Sequence, residues 1–163
     1  MESITYQPIG VIRSPFRKPR GTPIQPPAAA GVEGTVELDP VYVDGLKDLE
    51  GFSHIVLLYH FHLSKPSPLL VRPFMDDEAH GVFAMRGSSR PNPVGLSIVR
   101  LERIEGHLLR IKDVDIVDGT PLLDIKPFVP QFDVRDNQDI RIGWLGDKVQ
   151  KLPESRDDGR FVE

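Results

Sequence analysis

The sequence predicts a mainly β protein, a small barrel with short helices and long loops rich in proline and glycine. Three observations carry this. Six short stretches dense in β-branched and aromatic residues are bounded by Gly, Pro or Asp. Helical signals are few. The 16 prolines and 14 glycines among 163 residues favour a barrel or a strongly bent sheet joined by long loops. That length suits one domain with a real core. We expect the barrel over 1–135 and a short, partly helical extension over 136–163.

In chain order, the expected strands are Tyr6–Ile12, Val32–Leu38, His54–Phe61, Gly81–Met85, Leu96–Ile104 and Leu108–Val117. The run Ile55-Val56-Leu57-Leu58-Tyr59 is apolar on both faces, which marks a central strand. Val32 to Leu38 mixes polar and apolar sides, as a half-exposed strand does. Glu105-Gly106 reads as a hairpin turn. Pro40 to Asp48 suits a short helix, with Asp39 as its cap and Pro40 at its first position. Ile140, Trp144, Leu145 and Val149 recur at roughly helical spacing within Asn137 to Leu152, although Gly143 and Gly146 weaken that pattern. The charged tail from Glu154 is expected to fray.

Composition narrows the function classes. The chain has no cysteine, so disulfides, thiolate nucleophiles and zinc–cysteine sites are excluded. No run of eighteen apolar residues marks a membrane span, and the first residues lack the pattern of a signal peptide. A cytoplasmic address is expected. The net charge of −4 argues against a globally basic nucleic-acid binder. The charge is uneven, however. Residues 1–30 hold Arg13, Arg17, Lys18 and Arg20 against Glu2 alone, and Arg86 to Arg103 hold four arginines against Glu102. One face of the fold can therefore be positive.

Four segments carry candidate chemistry. In Arg86-Gly87-Ser88-Ser89-Arg90-Pro91-Asn92-Pro93-Val94-Gly95-Leu96, two prolines and two glycines fix an irregular loop that presents two arginines and an asparagine. Such a loop suits an anionic ligand; a tight turn whose arginines pair with nearby acids has the same pattern. In Asp113-Val114-Asp115-Ile116-Val117-Asp118-Gly119, strand alternation sets Asp113 and Asp115 on one face, and Asp118-Gly119 makes a turn. Paired carboxylates suit a sulfonium or ammonium, or are simply a solvated strand edge. No compact ligand spacing points to a metal. His60 and His62 share a strand face opposite Tyr59 and Phe61, with His62 near the strand end, where it is placed to touch a ligand. Thr22-Pro23-Ile24-Gln25-Pro26-Pro27 cannot join a central strand. It is either an exposed linker or a wall whose Gln25 amide reads an adenine edge.

Taken together, several segments resemble one family. They are Ile9-Gly10-Val11-Ile12-Arg13-Ser14-Pro15-Phe16, Leu49-Glu50-Gly51-Phe52-Ser53-His54, Gly81-Val82-Phe83-Ala84, Arg90-Pro91-Asn92-Pro93-Val94-Gly95-Leu96-Ser97 and Asp118-Gly119-Thr120-Pro121-Leu122-Leu123-Asp124-Ile125-Lys126-Pro127-Phe128. These resemble, in the same order, the motifs of the TsaA-like, or TrmO-type, tRNA methyltransferases. The resemblance implies a β-barrel homodimer that uses S-adenosyl-L-methionine to methylate the exocyclic nitrogen of threonylcarbamoyladenosine, next to the tRNA anticodon. It also implies cofactor contacts at Gln25, Pro26, Pro27, His62, Leu63, Arg86, Leu96, Lys112, Asp113, Val114 and Asp115. The lack of a Gly-rich nucleotide fingerprint fits a barrel, which has no Rossmann switch point. Bacterial members look longer at the C-terminus, and many relatives carry a polar residue where this chain has Leu63.

The accepting nitrogen is a weak nucleophile until its proton leaves, so a base is expected. Asp118 is the first choice and His62 the second, with Arg90 and Asn92 gripping a substrate carboxylate or phosphate. Two other readings stay open: a non-enzymatic barrel that binds an adenosine compound or RNA, and a methyltransferase acting on another small molecule.

Overall fold

The computed structural model describes residues 2–66, 68–134 and 140–162. Among the described residues, eight strands run in chain order: β1 (Gly10–Arg13), β2 (Glu33–Leu38), β3 (His54–His60), β4 (Leu70–Val71), β5 (His80–Gly81), β6 (Val94–Glu105), β7 (Leu108–Lys112) and β8 (Thr120–Pro127). Six of them close into an antiparallel barrel in the order β1-β2-β7-β6-β3-β8, and β8 pairs back onto β1. β4 and β5 form a separate two-stranded sheet.

The barrel closes because alternate side chains of every strand are apolar and meet inside. Ile12, Val36, Ile55, Leu57, Val99, Leu109, Ile111 and Leu122 are wholly or almost wholly buried there. Burying such an aliphatic side chain contributes about 1.5–3 kcal/mol. β3 is flanked by β6 and β8. Its inward residues Ile55, Leu57 and Tyr59 are buried and its outward Val56 and Leu58 are half-buried, which is why the run reads as apolar on both faces. Gly106, at φ 63, turns β6 into β7 at the expected hairpin.

Register sets which loops meet. His60 pairs with Val94, Ile12 with Thr120 and Glu33 with Lys112. The loops 14–32, 61–93 and 113–119 therefore leave the barrel at the same end. Val114 plugs that end, fully buried against Gly34. A Cβ on Gly34 would lie 2.8 Å from Val114 Cγ2 and 2.8 Å from the Arg13 carbonyl oxygen, so only glycine fits there.

Several expected elements differ in the structure. The first strand begins at Gly10, not Tyr6, where pairing with Leu38 and Leu122 begins. The strand expected over Gly81–Met85 is a two-residue pairing followed by a 3-10 turn at Val82–Ala84. The strand expected to reach Val117 stops at Lys112, because Asp113 adopts φ 68 and breaks the alternation. β8 was not anticipated. Over Pro40–Leu46 the chain is 3-10 rather than α, with Asp39 accepting from the Val41 N–H as its cap. The helix expected over Asn137 to Leu152 begins at 137–139, outside the described residues. From Gly143 it is two 3-10 segments, Gly143–Leu145 and Val149–Glu154, and Gly143 itself sits at φ 56.

The tail does not fray. Phe161 is buried and meets Phe74 edge-on at 4.9 Å. Gly21 N–H donates to the Asp157 carbonyl at 2.6 Å, and Asp157 N–H donates to the Thr22 carbonyl at 2.9 Å. Among the described residues, no helix is long and apolar enough to cross a membrane.

Candidate active site

The converging loops enclose a cavity of about 1010 Å³ at their end of the barrel. It lies at the upper end of the usual range for small-molecule sites. Three layers build it. The floor is the barrel rim, where Tyr59, Gly95, Asp115 and Thr120 reach it. One wall is the proline-rich stretch around Gln25 together with the arginine-bearing loop after Met85. The other wall is the C-terminal segment, including Trp144, Leu145 and Phe161.

The floor holds a hydrogen-bonded relay. Tyr59 Oη lies 2.9 Å from Ser97 Oγ, and Ser97 Oγ donates to Asp115 Oδ1 at 2.6 Å. Ser97 is buried near the start of β6, opposite Leu57 on β3 and within hydrogen-bond reach of Tyr59. Gly95 makes room for the Tyr59 ring: a Cβ there would lie 2.2 Å from Tyr59 Cε2. Burial pushes the Asp115 carboxyl up to about 7, opposed by the Ser97 hydrogen bond and by the positive charge of Arg86. Burial, then the neighbouring Asp115, push the Tyr59 phenol above its ordinary value, so it remains neutral.

On the wall, Arg86 Nη1 donates to Gln25 Oε1 at 3.2 Å, joining the two loops that form it. His62 Nδ1 lies 3.4 Å from Thr120 Oγ1. Burial and, to a lesser degree, His60 lower the His62 pKa, so the ring is neutral at pH 7. Arg90 does not reach into the cleft as a free fork. Its Nη1 donates to the carbonyls of Met85 at 3.1 Å and Gly87 at 3.3 Å, bracing the loop that carries Arg86.

The opposite wall is fastened from outside the cavity. His80 stacks on Trp144 with ring centroids 4.4 Å apart, and Trp144 Nε1 donates to the Ala84 carbonyl at 2.8 Å. Asp76 accepts from His80 Nε2 at 2.9 Å and also from Lys148. Hydrogen bonds from Lys148 and then His80 hold the Asp76 carboxyl well below the usual carboxylate range. Sequence reasoning saw Trp144 only as part of a helical pattern. Its indole N–H, on a chain otherwise poor in tryptophan, was the one available hint.

Of the residues expected to act, Gln25, His62, Leu63, Arg86, Leu96 and Asp115 line the cavity, as do Arg90 and Asn92. Six others lie outside its lining. Pro26 and Pro27 open a 3-10 turn beside it. Val114 is the barrel plug. Asp113 accepts two bonds from Arg100, at 2.6 and 2.9 Å, and one from Gly31 N–H. Its positive φ turns it away from the face it was expected to share with Asp115. Lys112 pairs with Glu102 at 3.1 Å on the outer barrel wall. Asp118, expected as the base, borders a second, strongly polar cavity with Arg13, Arg17 and Lys112. There it accepts from Ser14 N–H at 3.1 Å and from Arg17 Nη1 at 2.6 Å, which makes it a clasp for the β1 exit.

Chemically, the cleft combines apolar walls with two guanidiniums, Arg86 and the loop-bracing Arg90, two amides, Gln25 and Asn92, and the high-pKa carboxyl of Asp115. That set fits a ligand with an apolar body, an anionic end and a cationic centre. Among the described residues, no three His, Asp or Glu side chains gather as a metal site.

Known proteins share this architecture. The model of the tRNA-methyltransferase O N-terminal domain matches residues 11–134. A Pyrococcus abyssi protein named as a probable S-adenosyl-L-methionine-binding protein is 61% identical over 158 residues, spanning 97% of this chain and 85% of the relative. The Escherichia coli tRNA (adenine(37)-N6)-methyltransferase is 38% identical over 140 residues, spanning 80% of this chain and 60% of that enzyme. The crystal structure of TrmO from Pseudomonas aeruginosa superposes with a TM-score of 0.72 at 40% identity, spanning 88% of this chain and 63% of that one. The chain thus spans under two thirds of the length of these last two.

Proposed function

We propose that this chain, which belongs to the tRNA-methyltransferase O family, transfers a methyl group from S-adenosyl-L-methionine to the exocyclic nitrogen of an adenine in tRNA. In its finer form the acceptor is threonylcarbamoyladenosine beside the anticodon, and the working unit is a cytoplasmic homodimer. The observation that carries this reading is the cleft itself, where Arg86, Gln25 and Asp115 meet between apolar walls at the barrel end.

The donor supplies an electrophilic methyl group on a positively charged sulfur. This chain's residues bind, orient and exclude water. Arg86 suits the donor's carboxylate, the Gln25 amide an adenine edge, and Asp115 a cationic centre. His62 and Leu63, just past β3, and Leu96 on the neighbouring β6 line the cavity, while the backbone from Lys112 through Val114 leads into Asp115. Asn92, exposed at the mouth, is available to the incoming nucleotide. Exposed Lys18 on the loop leading to Gln25 offers positive charge for an RNA backbone.

A second reading, methylation of a small molecule, has one observation in its favour. Arg100, Arg103 and Arg110 are all engaged in ion pairs, and the chain carries a net charge of −4. The test is incubation with isotopically labelled donor and tRNA from cells lacking the modification, followed by mass spectrometry of the nucleosides. Label in one modified adenosine is the expected result. Label absent from tRNA at every nucleoside would refute the reading.

A further inference from the structure

Asp115 stands out among the described residues because a buried relay, Tyr59–Ser97–Asp115, holds its carboxyl at the cavity floor. Only Oδ1 is engaged by Ser97; the carboxyl's other oxygen is not part of that bond. The groups facing it across the packed elements are few. Tyr59 on β3 is a neutral phenol, His62 beyond β3 is a neutral ring, and Arg86 on the facing loop is the cation. Arg90 is occupied with carbonyls, and Asp157 on the far wall accepts from Gly159 N–H at 2.7 Å.

Resting on the methyl-transfer reading above, we propose that Asp115 is the base of the reaction, carrying a negative charge while it faces the cationic donor and a proton once the donor has become neutral. A buried site is intolerant of net charge, so two compensating changes in one step are favoured over either alone. In the transfer, the acceptor's nitrogen–hydrogen bond breaks and its proton passes to the Asp115 carboxylate, at the oxygen that does not accept from Ser97. A nitrogen–methyl bond forms, and the sulfur–methyl bond breaks with its electron pair left on sulfur. Before the step Asp115 is a carboxylate facing a sulfonium. Afterwards it is a carboxylic acid facing a thioether, and the donor's own carboxylate and Arg86 are unchanged. The sum is unchanged, and Ser97 keeps its hydrogen bond to Oδ1 throughout.

This goes beyond binding of the donor, because it predicts that the protein distinguishes donor from product by protonation. The Asp115 carboxyl is pushed up to about 7. Binding of the donor therefore draws on the ionised fraction, which changes about tenfold between pH 6 and pH 8. S-adenosylmethionine and S-adenosylhomocysteine carry the same amino, carboxyl and adenine groups, so their titrations cancel in the ratio of affinities. Titration calorimetry with both compounds should show that ratio rising at least about tenfold in favour of the methionine compound across this range. It should also show nearly one proton released on binding that compound near pH 6. Asp115→Asn should flatten the ratio and slow single-turnover methylation by about 100-fold or more. Ser97→Ala, which removes a donor to the carboxylate, should move the midpoint upward and keeps the test open should the asparagine variant fold poorly. A pH-independent ratio in the unaltered protein, or an unchanged slope in Asp115→Asn, overturns the proposal alone. Failure of both compounds to bind at any pH overturns the functional reading and this proposal with it.

Discussion

Replacing Asp115 by asparagine is expected to stabilise the ligand-free protein above neutral pH and to change little in acid. The folded carboxyl is pushed up to about 7 from an ordinary value of 3.8, chiefly by burial. Below both values the group is protonated in the folded and unfolded chain alike and contributes nothing. As pH rises through the window between them, the unfolded chain ionises while the folded one keeps its proton, so stability falls. Above about 7 the penalty is complete. A difference of about three pKa units corresponds to about 4 kcal/mol, an upper bound for a group at the wall of an open cleft. Asparagine is neutral at every pH and retains an oxygen to accept from Ser97. Taking about half of that bound, Tm should rise by about 4–8 °C near pH 8.5 and by less than about 2 °C near pH 4. Scanning calorimetry at the two pH values reads this directly. An equal shift at both, or a less stable variant near pH 8.5, would refute the reasoning.

Asp118→Asn keeps an acceptor for Ser14 N–H but loses the charge facing Arg17. It should cost about 1 kcal/mol in urea unfolding and leave single-turnover methylation near normal; a rate loss of 100-fold would restore Asp118 as the base. Gly95→Ala drives a methyl to within 2.2 Å of the Tyr59 ring. We expect a loss of about 1–3 kcal/mol by denaturant titration, and an unchanged midpoint would mean that the ring moves freely. Trp144→Ala removes the stack on His80 and the bond to Ala84. Amide exchange should quicken across residues 140–162 while β3 and β6 stay protected, and uniform protection would show that the C-terminal wall is held by other contacts. Arg90→Ala should weaken donor affinity by about tenfold through loss of the brace on the Arg86 loop. Lost methylation with unchanged donor affinity would instead make Arg90 a grip on the substrate.

What the sequence revealed follows the range of the interactions involved. β3 was legible because its apolar run is continuous, and the Glu105-Gly106 turn because glycine is needed where φ is positive. The Asp39-Pro40 start was legible from local capping chemistry, although the turn is tighter than α. β8 was missed because Pro121 and Pro127 bound a stretch that also holds Asp124 and Lys126, and its strand identity comes from pairing with β1 and β3. The same limit applied at the site. Gln25, Arg86 and His62 announced themselves as polar residues in rigid or strand-end settings. The separate fates of Asp113, Asp115 and Asp118 depended on Arg100, Ser97 and Arg17, partners that no local pattern specifies. One backbone angle at Asp113 divided a pair that strand alternation had joined.

Closure of the barrel has a further consequence. Each of its six strands has a hydrogen-bonded neighbour on both sides, so none of them offers the open backbone rim on which an extended polymer could be added as another strand. At the cavity, discrimination falls to the side chains of the connecting segments and of the strand ends at the mouth. The ladder beneath is indifferent to what those segments say. Lineages descending from such a scaffold can therefore exchange the stretches around Gln25 and Arg86 to meet new acceptors while the cylinder that supports them is inherited intact.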